Sequence, residues 1–306
     1  MVKKRQTGRR AARTKRSRDG LARKALRHGR QRADTIVAIR RTARRRGKGL
    51  PGANGVLVAE GDSWFDYPFY DVLGMLEDEH NFRVESVAHK GDTIEEMAYD
   101  DNQLDGLDRK LQHLQNDGRV PRAFLLSGGG NDIAGEEFAV LLNHRSASLG
   151  TLNPKIIDGI INERVRFAFL SVIATMTQLS KLYFSRITPI VLHGYSYPVP
   201  DGRGYLGGAW LLPGPWLEPG FRQKGYLDLT ENTAVMVNLI DTFNRMLATL
   251  PGEDGLEHVS YLDLRAVLSN ELAGRVYKKS WENELHPTRR GFESVADEFS
   301  RRLLTL

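Results

Sequence analysis

After residue 50 the chain alternates short apolar runs with longer stretches whose apolar residues recur every three or four positions. The runs at 56–59, 83–88, 123–127, 189–193 and 259–262 predict five strands, and the longer stretches predict helices over 70–79, 93–115, 154–185, 230–250 and 288–304. Run 123–127 is apolar enough to be covered on both faces, as a central strand of a parallel sheet is. In 154–185 the residues Ile157, Ile161, Val165, Phe169, Ile173 and Met176 mark one packed helix face. Regular alternation of the two element types predicts an α/β fold, a mostly parallel sheet with helices on both faces. Right-handed crossovers then bring all the strand ends to one edge, where distant segments can assemble a site.

One stretch breaks the pattern. Residues 195–227 are rich in Gly and Pro yet hold Trp210, Trp216 and Phe221. Long irregular segments in compact domains usually serve a site, and aromatic residues argue against plain disorder. The expectation is a cover over the site, with an ordinary packed surface loop as the alternative.

Charge changes the picture at the other end. The first 50 residues carry 20 Lys and Arg against 2 Asp and Glu, a net of +18; the remainder carries 24 against 36, a net of −12. Two regions are therefore expected: a basic tail, 1–50, disordered or an isolated helix, and an acidic folded body, 51–306. The tail could neutralise phosphates of nucleic acid or anionic lipid, or be a solvated extension without a partner. It lacks the apolar stretch of a secretory signal, and no run in the chain approaches the roughly 20 apolar residues of a membrane span. With no cysteine, disulfides and thiolate metal sites are unavailable, and a reducing compartment fits. The expectation is a cytoplasmic protein, peripheral at an anionic membrane surface if the tail binds lipid.

The candidate chemistry lies where strands end. The first strand leaves through AEGDSWFDYP, which presents Ser63 on a tight turn; by itself Gly-Asp-Ser also suits a plain turn or a helix cap. The second strand runs into SVAHKGDT with Gly91, the third into LLSGGGNDIAG with Asn131 and Asp132, and WENELHPTRRGF puts His286 just before the last helix. A serine hydroxyl needs a base to take its proton, and His286 suits that role. Donors for a developing oxyanion could come from the Ser63 N–H, the Gly91 N–H and the Asn131 side chain. His89 and His193 also fall near strand ends, with Asp62 or Asp132 as partners, but no paired ligand spacing supports a metal.

Together these stretches resemble the SGNH hydrolases, the GDSL esterase and lipase family, over the body from about residue 55 onward. Gly61-Asp62-Ser63 resembles the first block of that family, Gly91 the second-block glycine, Gly129-x-Asn131-Asp132 the third block and His286 the fifth-block histidine. The resemblance implies a three-layer α/β/α sandwich with a flavodoxin-like five-stranded sheet, Ser63 as nucleophile, His286 as base, an oxyanion hole of Ser63, Gly91 and Asn131, and no cofactor or metal. The chain departs from the family at the third member of the triad, where Asn283 stands in place of aspartate. An asparagine oxygen can accept the histidine N–H but brings no charge for an imidazolium. Glu284 or Glu282 could reach the ring instead, Glu284 being closer in the chain, or a backbone carbonyl could orient it.

The function expected is carboxylic ester hydrolysis through an acyl-enzyme, on small-molecule or lipid esters, with lysophospholipids among them. Trp64, Trp210 and Trp216 are the candidate substrate-binding aromatics, Trp64 by packing beside the pocket. Acyl transfer to another acceptor is a close variant. The alternative from another class is a binding protein: a weakly active or inactive hydrolase-like body tethered by the tail to nucleic acid or another polyanion.

Overall fold

The computed structural model describes residues 52–205 and 213–306. The basic tail expected over 1–50 and Trp210 lie outside the described residues.

The five expected strands are all present as β1 (Val56–Gly61), β2 (Arg83–Ser86), β3 (Ala123–Ser127), β4 (Ile190–His193) and β5 (Val259–Leu262). They form one sheet in the order β2-β1-β3-β4-β5 with every neighbouring pair parallel. Between them run α1 (Val72–Asp78), α2 (Ile94–Tyr99), α3 (Asp101–Asn116), the single turn α4 (Gly130–Ile133), α5 (Pro154–Phe184), α6 (Glu218–Gln223), α7 (Leu229–Thr249) and α8 (Arg289–Leu304). Helix α1 packs on α8, while α2 and α3 pack on α5. Right-handed crossovers in this strand order set α1 and α8 on one face of the sheet and α2, α3, α5 and α7 on the other. The result is a three-layer α/β/α sandwich whose strand order reverses between β1 and β3, the crevice where such sheets bind ligands. Both strands are buried along nearly their whole length, and their ends are in register, Gly61 opposite Ser127.

The stripe on α5 is buried as its spacing predicts, from Ile157 through Met176. Steps of four residues drift by about 40° each around an α-helix, and the helix widens to π geometry over Gly159–Val165, which returns the stripe to the core. By length and composition alone α5 could cross a bilayer; here it is part of a helical layer. The single helix expected over 93–115 is two, because Asp100 takes extended backbone angles and its carboxylate caps the Asn102 N–H at 2.8 Å. The irregular stretch 195–227 contains a further unexpected helix, α6, whose Phe221 packs edge-on against Phe138.

Candidate active site

The turn after β1 is fixed by Asp62, which is almost fully buried. Its Oδ1 accepts the Trp64 N–H at 3.0 Å and the Ser127 hydroxyl at 2.7 Å, and its Oδ2 accepts the Tyr195 hydroxyl. That hydroxyl also accepts the Gly130 N–H at 3.3 Å. The turns after β1 and β3 are thus tied through a carboxylate and a phenol at the switch point, and Ser63 is carried on the first of them.

His286 stands just ahead of α8. Its Nε2 lies 2.8 Å from Ser63 Oγ and its Nδ1 lies 3.0 Å from Asn283 Oδ1. The same Oδ1 accepts the backbone N–H groups of Leu285 at 3.0 Å and His286 at 2.8 Å, so the atom facing the ring is the amide oxygen. An oxygen so placed can only accept, which puts the ring proton on Nδ1 and leaves Nε2 with a free lone pair toward the serine. Asn283 is fully buried, and its Nδ2–H donates to the Tyr67 hydroxyl at 3.0 Å. The Tyr67 ring lies face to face with His286, centroids 4.2 Å apart and planes 19° off parallel, and Trp216 meets the imidazole edge-on at 5.3 Å. Burial holds the His286 pKa down to about 3, so the ring is neutral at neutral pH.

Across the crevice, Gly91 has φ +95°, a left-handed backbone that favours glycine, and a Cβ there would meet nothing within 4 Å. Conformation alone, and not space, calls for glycine there. Its loop is anchored on both sides: the His89 N–H donates to the Gly61 carbonyl at 2.8 Å, and the Asp92 carbonyl accepts Asn131 Nδ2–H at 2.8 Å. Among the described residues neither the Ser63 nor the Gly91 N–H has a protein acceptor. Asn131 has a second amide hydrogen beyond the one given to Asp92. Gly129 is the other special glycine: φ is +85° and a Cβ would stand 2.7 Å from the Phe243 ring.

Glu284 does not reach the ring. Although fully buried, its carboxylate accepts the backbone N–H groups of Gly202, Trp216, Leu217 and Glu218 at 2.7–3.1 Å. It therefore fastens the irregular stretch 195–227 to the histidine loop, and burial pushes its pKa upward against those four donors. Glu282 is engaged elsewhere too, accepting the Tyr70 hydroxyl. Trp64 is a core residue at the pocket edge, its Nε1–H donating to the Leu285 carbonyl at 3.1 Å. His193 is buried among Trp64, Phe65, Tyr195 and Phe299, while the largely exposed His89 side chain pairs with Asp92. Among the described residues no three His, Asp or Glu side chains group as a metal would require. Sequence reasoning missed Tyr67 and Tyr195; only their position in aromatic stretches at strand ends, YP after Ser63 and YSYP after β4, could have drawn notice.

No family model matches the chain, and no curated protein matches it. Solved structures similar to it include a GDSL-like lipase from Bacteroides thetaiotaomicron, 10% identical, covering 88% of this chain and 98% of that one at a TM-score of 0.43. An acetylxylan esterase from Geobacillus stearothermophilus is 13% identical, with 81% and 93% covered at 0.46. An alpha/beta hydrolase enzyme from the metagenome of Lake Arreo is 14% identical, with 81% and 94% covered at 0.43. Likenesses this distant leave the chemistry of the site to be read from its own geometry.

Proposed function

We propose that the protein is a serine ester hydrolase of the SGNH type, working through an acyl-enzyme. The observation that carries the reading is the line from Ser63 Oγ through His286 to Asn283, with Nδ1 protonated and Nε2 free to accept. In the first half-reaction Oγ attacks the ester carbonyl carbon while Nε2 takes the hydroxyl proton. The carbonyl oxygen becomes an oxyanion facing the Ser63 N–H, the Gly91 N–H and the Asn131 amide. The imidazolium then gives its proton to the departing alcohol oxygen, the C–O bond breaks, and the acyl group stays on Ser63. Water, deprotonated by the same Nε2, attacks the acyl carbon, and collapse returns the proton to Oγ and releases the acid.

Asn283 supplies orientation without charge. What stands in for charge is the Tyr67 ring, whose electron-rich face lies within the roughly 6 Å over which a cation is stabilised. Against a purely binding role stands the base itself, aligned, neutral and desolvated beside a serine hydroxyl.

The test is hydrolysis of p-nitrophenyl esters by the wild type and by Ser63→Ala. Activity is expected in the first and loss of at least about a thousandfold in the second. Equal activity in both, from folded protein, would remove Ser63 from the reaction.

A further inference from the structure

The cavity beside the nucleophile has a volume of about 40 Å³ and is bordered by Ser63, Asn131, Ile133, Met236, Ile240 and Trp281, among others. His286 is not among the residues that border it. This division matters because three directions around the tetrahedral carbon have different owners. The leaving oxygen must face His286 Nε2, which protonates it, and the oxyanion must face the Ser63, Gly91 and Asn131 donors. The acyl substituent is left with the third direction, toward the cavity that Ser63 and Asn131 share.

Resting on the ester-hydrolase reading above, we infer that this cavity is the acyl pocket and that it restricts the substrate to esters of short, uncharged acids, of about two to four carbons. An apolar cavity of about 150 Å³ takes a benzene, so one of about 40 Å³ takes roughly two or three heavy atoms beyond the carbonyl. Its far wall is apolar and firm: Met236 and Ile240 stand one turn apart on α7, and with Ile133 and Trp281 all are at most 4% exposed. Of the polar side chains at its edge, Asp62 is occupied by Ser127, Trp64 and Tyr195, and Ser196 by the Leu264 carbonyl, while the buried Trp281 Nε1–H has no partner among the described residues. A charged acyl group would find there at most the single Trp281 N–H, too little to offset the burial of a charge, which is costly. Trp216, which meets His286, therefore lies on the alcohol side, and a long lipid acyl chain has no room on the other.

Two measurements test this together. The first is kcat/KM for p-nitrophenyl acetate, butyrate and octanoate with the wild type, Met236→Ala and Ile240→Ala. The second is the rate at which ethyl and octyl fluorophosphonates label Ser63, read by intact mass. In the wild type octanoate is expected at least about a hundredfold below acetate, since each methylene that does not fit costs about tenfold or more. Either alanine variant should raise octanoate relative to acetate, and the ethyl probe should label faster than the octyl. Octanoate turned over as fast as acetate by the wild type, with both probes labelling Ser63 equally, would overturn the short-acyl pocket and leave the serine hydrolase standing. If neither probe labels Ser63 and no ester is cleaved, the hydrolase reading fails and the pocket assignment with it.

Discussion

Asn283 Oδ1 holds His286 Nδ1 at 3.0 Å while the backbone N–H groups of Leu285 and His286 hold that oxygen in place. Asn283→Ala should therefore lose at least about a hundredfold in kcat, because the ring keeps its neighbours but loses the acceptor that fixes its tautomer. Asn283→Asp should retain activity, since the Tyr67 hydroxyl can turn from accepting Nδ2–H to donating to the new oxygen. The sign of the pH effect follows from burial: a neutral base near 3 in the wild type puts the acid limb of kcat/KM well below the ordinary imidazole value of about 6.5. A carboxylate at 283 favours the charged ring, so the limb should move to higher pH in that variant. A wild-type limb near 6.5, unchanged in Asn283→Asp, would contradict both statements.

Tyr67 acts on His286 in two separable ways, by its ring face and through Asn283. Tyr67→Phe keeps the face and should lower kcat by about tenfold or less. Tyr67→Leu removes both and should cost about thirtyfold or more, the equivalent of a desolvated cation–π contact of about 2 kcal/mol. KM for a short ester should stay within about twofold in each, as neither change touches the acyl pocket. Steady-state kinetics on the acetate ester decides.

Glu60 is buried at the end of β1, two residues before Asp62, and among the described residues its carboxylate has only its own neighbour's N–H as donor, from Gly61 at 2.9 Å. Burial raises its pKa to about 8. Between about pH 4.5 and 8 the folded state then holds a proton that the unfolded state has released, so this group's contribution to stability falls as pH rises. Glu60→Gln should remove that slope: relative to the wild type it should gain about 1–3 kcal/mol between pH 5 and pH 8. Urea midpoints of both proteins at the two pH values give the difference, and parallel profiles would contradict it.

Glu284→Ala should leave the N–H groups of Gly202, Trp216, Leu217 and Glu218 without their acceptor. Buried donors left unpaired cost about 1–3 kcal/mol each, more than the attachment of this stretch can bear. Limited proteolysis should then cut between residues 202 and 218 much faster than in the wild type, whereas Ser63→Ala should show no change. Equal cutting rates would mean that other contacts hold the stretch.

The layers were readable from the sequence because buried strands and one-sided helices leave periods of their own, and the five runs and the α5 stripe sit where those periods put them. The break at Asp100 was less visible, since two helices sharing one capping residue look like a single amphipathic run. Proximity along the chain misled at Glu284. The loop that holds it is pinched by the bridge between Trp281 and Pro287 and by the Glu282 N–H on the His286 carbonyl, so neighbouring side chains leave it in opposite directions. A sequence tells how far Glu284 is from His286 in residues and not which way it points. Tyr67 had no period or motif to announce it, because a ring stacked across a crevice is specified only when the crevice exists.

The loop after Ser63 carries more than the serine: Trp64 bonds Leu285, Tyr67 bonds Asn283 and faces His286, and Tyr70 bonds Glu282. Eight consecutive residues, Ser63 to Tyr70, thus hold the opposite loop at Glu282, Asn283, Leu285 and His286, which keeps the two loops from sliding past each other. Tyr67 with Asn283, and Tyr70 with Glu282, should covary in descent, and a chain that replaced Asn283 by aspartate would be free to lose the ring at 67.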